Sequence, residues 1–203
     1  MIYLDHAATS WPKPGEVGRE IERALTGLTA NAGRSGHQAA VDSARMVFET
    51  REQLAELLGI ERSEDLVFVR GCTEGLNLVL KGFLQPGDRV AVSPMEHNSV
   101  MRPLMRLADE RGIGVDTLAA DRLGRIDFNG DGNLADEKPP ALVVIQHASN
   151  VNGVVQDLAA VRRAFPESPI LVDAAQTAGV LPLDVGELGV DFLAASVHKG
   201  LLG

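Results

Sequence analysis

The chain has 203 residues, 45% of them hydrophobic and 23% charged, with a formal net charge of -9. That size and balance describe a soluble globular domain with one sizeable core. The acidic surplus argues against nucleic-acid and anionic-membrane surfaces, which need clustered Lys and Arg. A single cysteine, Cys72, allows no internal disulfide and fits a reducing, cytoplasmic setting. No run reaches the roughly 18 apolar residues of a membrane span, and Met1 to His6 lacks the basic start and apolar stretch of a secretory leader.

Trp11-Pro12-Lys13-Pro14 is rigid and non-helical, so residues 1–15 are expected to form an extended arm ahead of one large domain over 16–203. A helix is predicted from Glu16 to Leu28. The glycines of Asn31-Ala32-Gly33-Arg34-Ser35-Gly36-His37 then mark a loop. From Ala40, apolar residues recur at three- and four-residue steps through Leu58, and Gly59 stops the helix they predict. The rhythm then changes. Leu66-Val67-Phe68-Val69 reads as a strand, followed by a helix from Thr73 to Phe83 and a turn at Pro86-Gly87-Asp88. Arg89 to Val92 is a second strand, Ser99 to Arg111 a helix and Ile113 to Leu118 a strand. Ala141 to Ile145 is another strand, with a helix near Leu158 to Ala164. Ile170-Leu171-Val172 and Phe192-Leu193-Ala194 complete the series. Several of these strands are solidly apolar, as in a sheet covered on both faces. Alternating strands and helices predict an α/β domain with a mainly parallel sheet flanked by helices.

In such sheets ligands bind beyond the carboxyl ends of the strands. Gly71-Cys72-Thr73 joins a strand to a helix, either as a phosphate seat or as a plain turn with Thr73 as N-cap. Asp173 ends an apolar strand and needs a cationic partner, which a protonated pyridine nitrogen or an Arg would supply. Lys199 follows a buried strand and is either a Schiff-base lysine or a surface residue of a loop. His97 reads as a ring-stacking group or general base, or as a histidine satisfied by loop backbone. A phosphate cradle, an acid, a flat ring and a lysine together meet the needs of one cofactor, pyridoxal phosphate.

Other motifs fail. Asp127-Phe128-Asn129-Gly130-Asp131-Gly132 opens like a calcium loop, but its twelfth position is Lys138 where a Glu is required. Gly33-Arg34-Ser35-Gly36-His37 lacks the closing glycine of a nucleophile elbow.

The sequence resembles the cysteine desulfurase group of class V aminotransferases, in the pyridoxal-phosphate fold-type I superfamily. The resemblance rests on Tyr3-Leu4-Asp5-His6-Ala7-Ala8-Thr9-Ser10, Gly33-Arg34-Ser35-Gly36-His37, Glu96-His97-Asn98-Ser99-Val100, His147-Ala148-Ser149-Asn150, Val172-Asp173-Ala174-Ala175-Gln176-Thr177 and His198-Lys199-Gly200-Leu201-Leu202-Gly203. His6 stands where an Asn is commoner. The resemblance implies the fold-type I large domain, truncated after the cofactor lysine. It implies that Lys199 holds the cofactor covalently, Asp173 holds the pyridinium proton, and His97 stacks on the ring and moves protons. Gln176 would meet the ring hydroxyl oxygen, and Asn150 that oxygen or the substrate carboxylate. Thr73, Ser196, His198 and the Cys72 backbone would hold the phosphate. Ala8 and His37 would border the substrate, His37 across a dimer interface. The implied reaction converts L-cysteine to alanine with sulfur held on the enzyme. A homodimer and a sulfur-acceptor protein are the implied partners. The family's persulfide-forming cysteine and carboxylate-gripping arginine have no counterpart here, since Cys72 matches the phosphate loop. A selenocysteine lyase, another class V enzyme and a non-enzymatic cofactor-binding fragment are the alternatives.

Overall fold

The computed structural model describes residues 2–27, 30–34, 36–128 and 138–203. Leu28, Ser35 and most of the calcium-like segment, 129–137, lie outside them. Among the described residues, no helix is long and apolar enough to cross a membrane.

Five parallel strands form one sheet: β1 (Arg89–Val92), β2 (Gly114–Thr117), β3 (Leu142–Gln146), β4 (Ile170–Asp173) and β5 (Phe192–Ala194). Their order is β2-β1-β3-β4-β5. From β1 the chain goes first to one side and then returns to the other. The sheet therefore has a switch point between β1 and β3, where the connections diverge and leave a crevice.

The unbroken apolar strands are explained by their side chains facing two cores. In β3, Val143 and Ile145 join one core with Val172 of β4. Leu142 and Val144 join the other with Leu171. Leu158 and Val161 of α5 (Leu158–Ala164) cover the first face. Leu76 and Leu80 of α3 (Cys72–Phe83) and Val100 and Leu104 of α4 (Asn98–Arg111) cover the second.

Helix ends follow local chemistry. His37 caps α2 (Gln38–Leu58) by accepting from the Ala40 N–H at 3.2 Å. Gly59 closes that helix with φ 63, and a Cβ there would sit 2.3 Å from the Asp184 carboxyl carbon. Only glycine meets both demands. Asp184 in turn caps α6 (Val185–Leu188), a short helix absent from the sequence reading, through the Glu187 N–H. The first helix, α1 (Gly15–Gly27), has no buried residue.

Residues 66–69, expected as a strand, are extended at Leu66 but form no strand. Val67 and Phe68 are 66% and 46% exposed, and the Arg51 guanidinium lies over the Phe68 ring at 5.4 Å. Among the described residues no strand pairs with this run, and β-branched composition alone does not make a ladder.

Residues 2–13 cross the sheet's carboxyl edge and clamp the turn after β5. The His198 carbonyl accepts from Ser10 N, Ser10 Oγ, Thr9 Oγ1 and Lys13 Nζ at 2.7–3.2 Å. Beneath this turn, a Cβ on Gly200 would lie 2.4 Å from the Ala178 carbonyl oxygen. The backbone approach that seats residues 197–201 thus needs glycine at that position.

Candidate active site

A cavity of about 1080 Å³ opens at the carboxyl ends of β1, β3, β4 and β5. Ten of the eleven candidate residues line it, from the arm to the last turn: Ala8, then Cys72 and Thr73, then His97 and Asn150, then Asp173 and Gln176, then Ser196, His198 and Lys199. The eleventh, His37, is outside it and serves as the α2 cap. Residues remote in sequence meet here because the parallel strands deliver their ends to the same rim and the arm brings Ala8 across it.

The wall begins at α3. Its N-cap is Gly71, with no side-chain cap, so Thr73 is a first-turn residue rather than the cap. Among the described residues, the Cys72 and Thr73 N–H groups that lead this 12-residue helix meet no acceptor and stand beside the cavity, which suits a dianionic phosphate. Ser196, buried, adds a hydroxyl from the turn after β5.

Asp173 is 3% exposed, yet no Arg or Lys pairs with it among the described residues. Its Oδ1 accepts from the Ala175 N–H at 3.0 Å and from the Cys72 thiol at 3.3 Å. Both donors approach the same oxygen, which fixes the carboxylate and leaves Oδ2 for a ligand. Lys199 is half-buried and also lines the cavity, and among the described residues its Nζ has no hydrogen-bond or ion-pair partner. A surface-loop lysine would be expected to reach solvent or an acid. Among the described residues, a carboxylate and an amine thus face one cavity, each without an ion pair, as an acceptor for a protonated pyridine nitrogen and a nucleophile for an aldehyde carbon. The residues present fit pyridoxal phosphate.

His97 caps α4. Its Nδ1 accepts from the Ser99 N–H at 3.1 Å and lies 2.8 Å from Ser99 Oγ. Backbone satisfaction and a place on the cavity wall therefore coexist in one residue. With Nδ1 accepting, the proton of the neutral ring sits on Nε2. Gln176 is less free than its position implies, because its Nε2 donates to the Ala7 carbonyl at 3.0 Å. His147 lies behind the wall, with Nδ1 2.9 Å from Thr177 Oγ1, and burial pushes its pKa down.

Cys72 is buried, and its thiol is pushed far up, first by burial and then by the Asp173 charge. It is a hydrogen-bond donor rather than a thiolate. Reading the sequence missed Gln146, the last residue of β3 and the register partner of Asp173, which also lines the cavity. Its place at a strand end was the available signal. Asn77 was missed too. It sits inside α3 and reaches the Ser99 carbonyl at 3.4 Å, the oxygen left without its helical donor by Pro103.

The model for the family described as Aminotransferase class-V matches residues 2–203. A probable cysteine desulfurase of Methanothermobacter thermautotrophicus is 36% identical over 205 residues, covering 100% of this chain and 50% of that protein. One from Pyrococcus abyssi is 33% identical, with 100% and 51% covered. Among solved structures, an apo cysteine desulfurase from Thermococcus onnurineus NA1 superposes with TM-score 0.91 at 32% identity, covering 100% of this chain and 51% of that one. SspA in complex with cysteine gives 0.87 at 25% identity, with 100% and 58% covered. The chain spans about half the length of the curated relatives it matches.

Proposed function

The chain belongs to the class-V aminotransferase family, and on that premise we propose that it is the cofactor-binding part of a pyridoxal-phosphate cysteine desulfurase. The observation that carries this reading is the buried Asp173 at the end of β4 and the half-buried Lys199 in the turn after β5, facing one cavity and, among the described residues, each without an ion pair. The cysteine desulfurase relatives, together with the neighbour SspA solved in complex with cysteine, support the substrate class.

When bound, pyridoxal phosphate supplies an electron sink for bonds broken at the α-carbon of an amino acid. Lys199 Nζ would hold it covalently. Asp173 Oδ2 would keep a proton on the ring nitrogen. The free N–H groups of α3, with Thr73, Ser196 and His198, would hold the phosphate. His97 would lie against the ring, with its Nε2 proton available to a leaving group. Asn150 and Ala8 would border the amino-acid substrate. Gln176 Nε2 donates one hydrogen to Ala7 and keeps its second for a ring oxygen. The reading carries with it an N-terminal arm over 1–15, a large domain over 16–203, a homodimer, a sulfur-accepting protein and a cytoplasmic setting. The exposed Ile21 and Leu25 on α1 support a second copy as the cover for that face.

Cys72, the single cysteine, is buried and protonated, so the sulfur-accepting thiolate has to come from outside these residues. The chain alone is therefore expected to bind cofactor without releasing sulfide from cysteine at an enzymatic rate.

The test is to add pyridoxal phosphate, reduce with borohydride and map the modified residue by mass spectrometry. Label on Lys199 alone, lost in Lys199→Ala, is expected. Scattered or absent label would overturn the reading.

A further inference from the structure

Glu96 sits in the turn between β1 and α4, one residue before the ring of His97. Its Oε1 accepts from Ser93 Oγ and from the Gln146 N–H, each at 2.6 Å. Its Oε2 is buried and has no partner among the described residues. Gln146 presents a second atom of that kind, its own Oε1, while its Nε2 donates to Asn150 Oδ1 at 3.3 Å. Gln146 and Asn150 both line the cavity.

No cation is paired with Glu96 among the described residues. The charged group that bears on it is Asp173, another acid. His97, its neighbour in sequence, is turned to the Ser99 amide. An ionised Glu96 would leave one oxygen stripped of water and of donors, beside a like charge. Burial outweighs the hydrogen bonds from Ser93 and Gln146 and, with Asp173, pushes Glu96 up to about 8.

We propose that Glu96 is a positioning residue that stands as a neutral carboxylic acid. Its Oε1 ties the end of β3 to the turn after β1, and its Oε2 proton is available to the otherwise unpaired Gln146 Oε1. Gln146 and Asn150 are thereby held on the cavity wall without a second negative charge beside Asp173. The inference rests on the proposed function only for what that wall serves.

The chain, labelled with ¹³C-carboxyl glutamate, is to be examined by infrared spectroscopy at pH 7. A protonated glutamate carbonyl band is expected and should vanish in Glu96→Gln. Thermal unfolding gives a second reading. A folded pKa above the unfolded one means that the Glu96 contribution to stability is full at acid pH and lost as pH rises through about 8. Glu96→Gln keeps an acceptor and a donor but has no proton to lose. Its melting temperature, relative to the wild type, should climb by roughly several degrees between about pH 5 and pH 9. Side-chain amide signals of Gln146 and Asn150 should move over that range in the wild type and stay still in Glu96→Gln. Glu96→Leu, which removes the acceptor for Ser93 and Gln146, should melt lower at every pH. No protonated band at pH 7, a flat or reversed difference, or failure of Glu96→Gln to fold would each overturn the proposal. None of these readouts needs cofactor, so a failed borohydride label would sink the proposed function and leave this inference standing.

Discussion

Cys72 shows how one side chain can look reactive in a sequence and be inert in place. Its thiol spends its proton on Asp173 Oδ1, and burial beside that carboxylate disfavours the thiolate. The native chain is therefore expected to resist a thiol reagent at mildly alkaline pH and to react fully once unfolded. The same contact makes Cys72 a support for Asp173. Cys72→Ala removes the donor and should weaken cofactor binding about fivefold, from a net hydrogen bond of about 1 kcal/mol. Cys72→Ser keeps an O–H there and should stay close to the wild type. Equal binding by all three proteins, measured by cofactor absorbance, would show that the Ala175 N–H alone fixes the carboxylate.

At the scale of elements, helix ends and site residues are shared. Gly71 opens α3 without a side-chain cap and so leaves N–H groups free, while His97 opens α4 and uses its ring as the cap. Two consequences of removing His97 can be separated. His97→Ala loses both the ring and the cap and should lower unfolding free energy by about 1 kcal/mol. His97→Asn restores a capping oxygen and should recover most of that stability in a denaturant titration. Both variants lose the ring and should alter the spectrum of bound cofactor alike. A destabilised His97→Asn would mean that the ring stabilises α4 by packing rather than by accepting from Ser99. The cap was legible as a helix start after His97, but not as a function of His97 itself. Sequence spacing places a residue near a helix end and does not say which backbone amide its side chain meets.

For the whole molecule, the buried histidine behind the site sets an acid limit. Burial lowers the pKa of His147 below its ordinary value. Its unfolded form takes up a proton first, so its contribution to stability is present above the ordinary histidine range and is lost as pH falls through its folded value. The melting temperature should therefore fall on acidification below about pH 6.5. His147→Gln, uncharged at every pH, should flatten that limb. An unchanged limb in the variant would assign the acid loss to other groups. The consequence reaches the site, because the His147 N–H bonds the Asp173 carbonyl at 3.0 Å and so joins the ends of β3 and β4.

The sequence by itself determined the α/β class, the parallel sheet and the rim of candidate residues. Apolar runs such as Leu142 to Ile145 can be satisfied only by burial on both faces, and the residues after such runs emerge at one edge. The end of α2 followed from Gly59, whose left-handed backbone stops that helix, while Gly112 does the same for α4 in the structure. Only the tertiary structure decided the rest. Residues 66–69 have strand composition but no partner, since a ladder is a property of two segments. Gln146 and Glu96 meet across 50 residues of chain, and periodicity carries no information about such a pairing. The strand order, the protonated state of Cys72 and the arm laid over the His198 carbonyl likewise depend on which surfaces meet. Desolvation and hydrogen bonding act between neighbours in space, and most of those neighbours are remote in the chain.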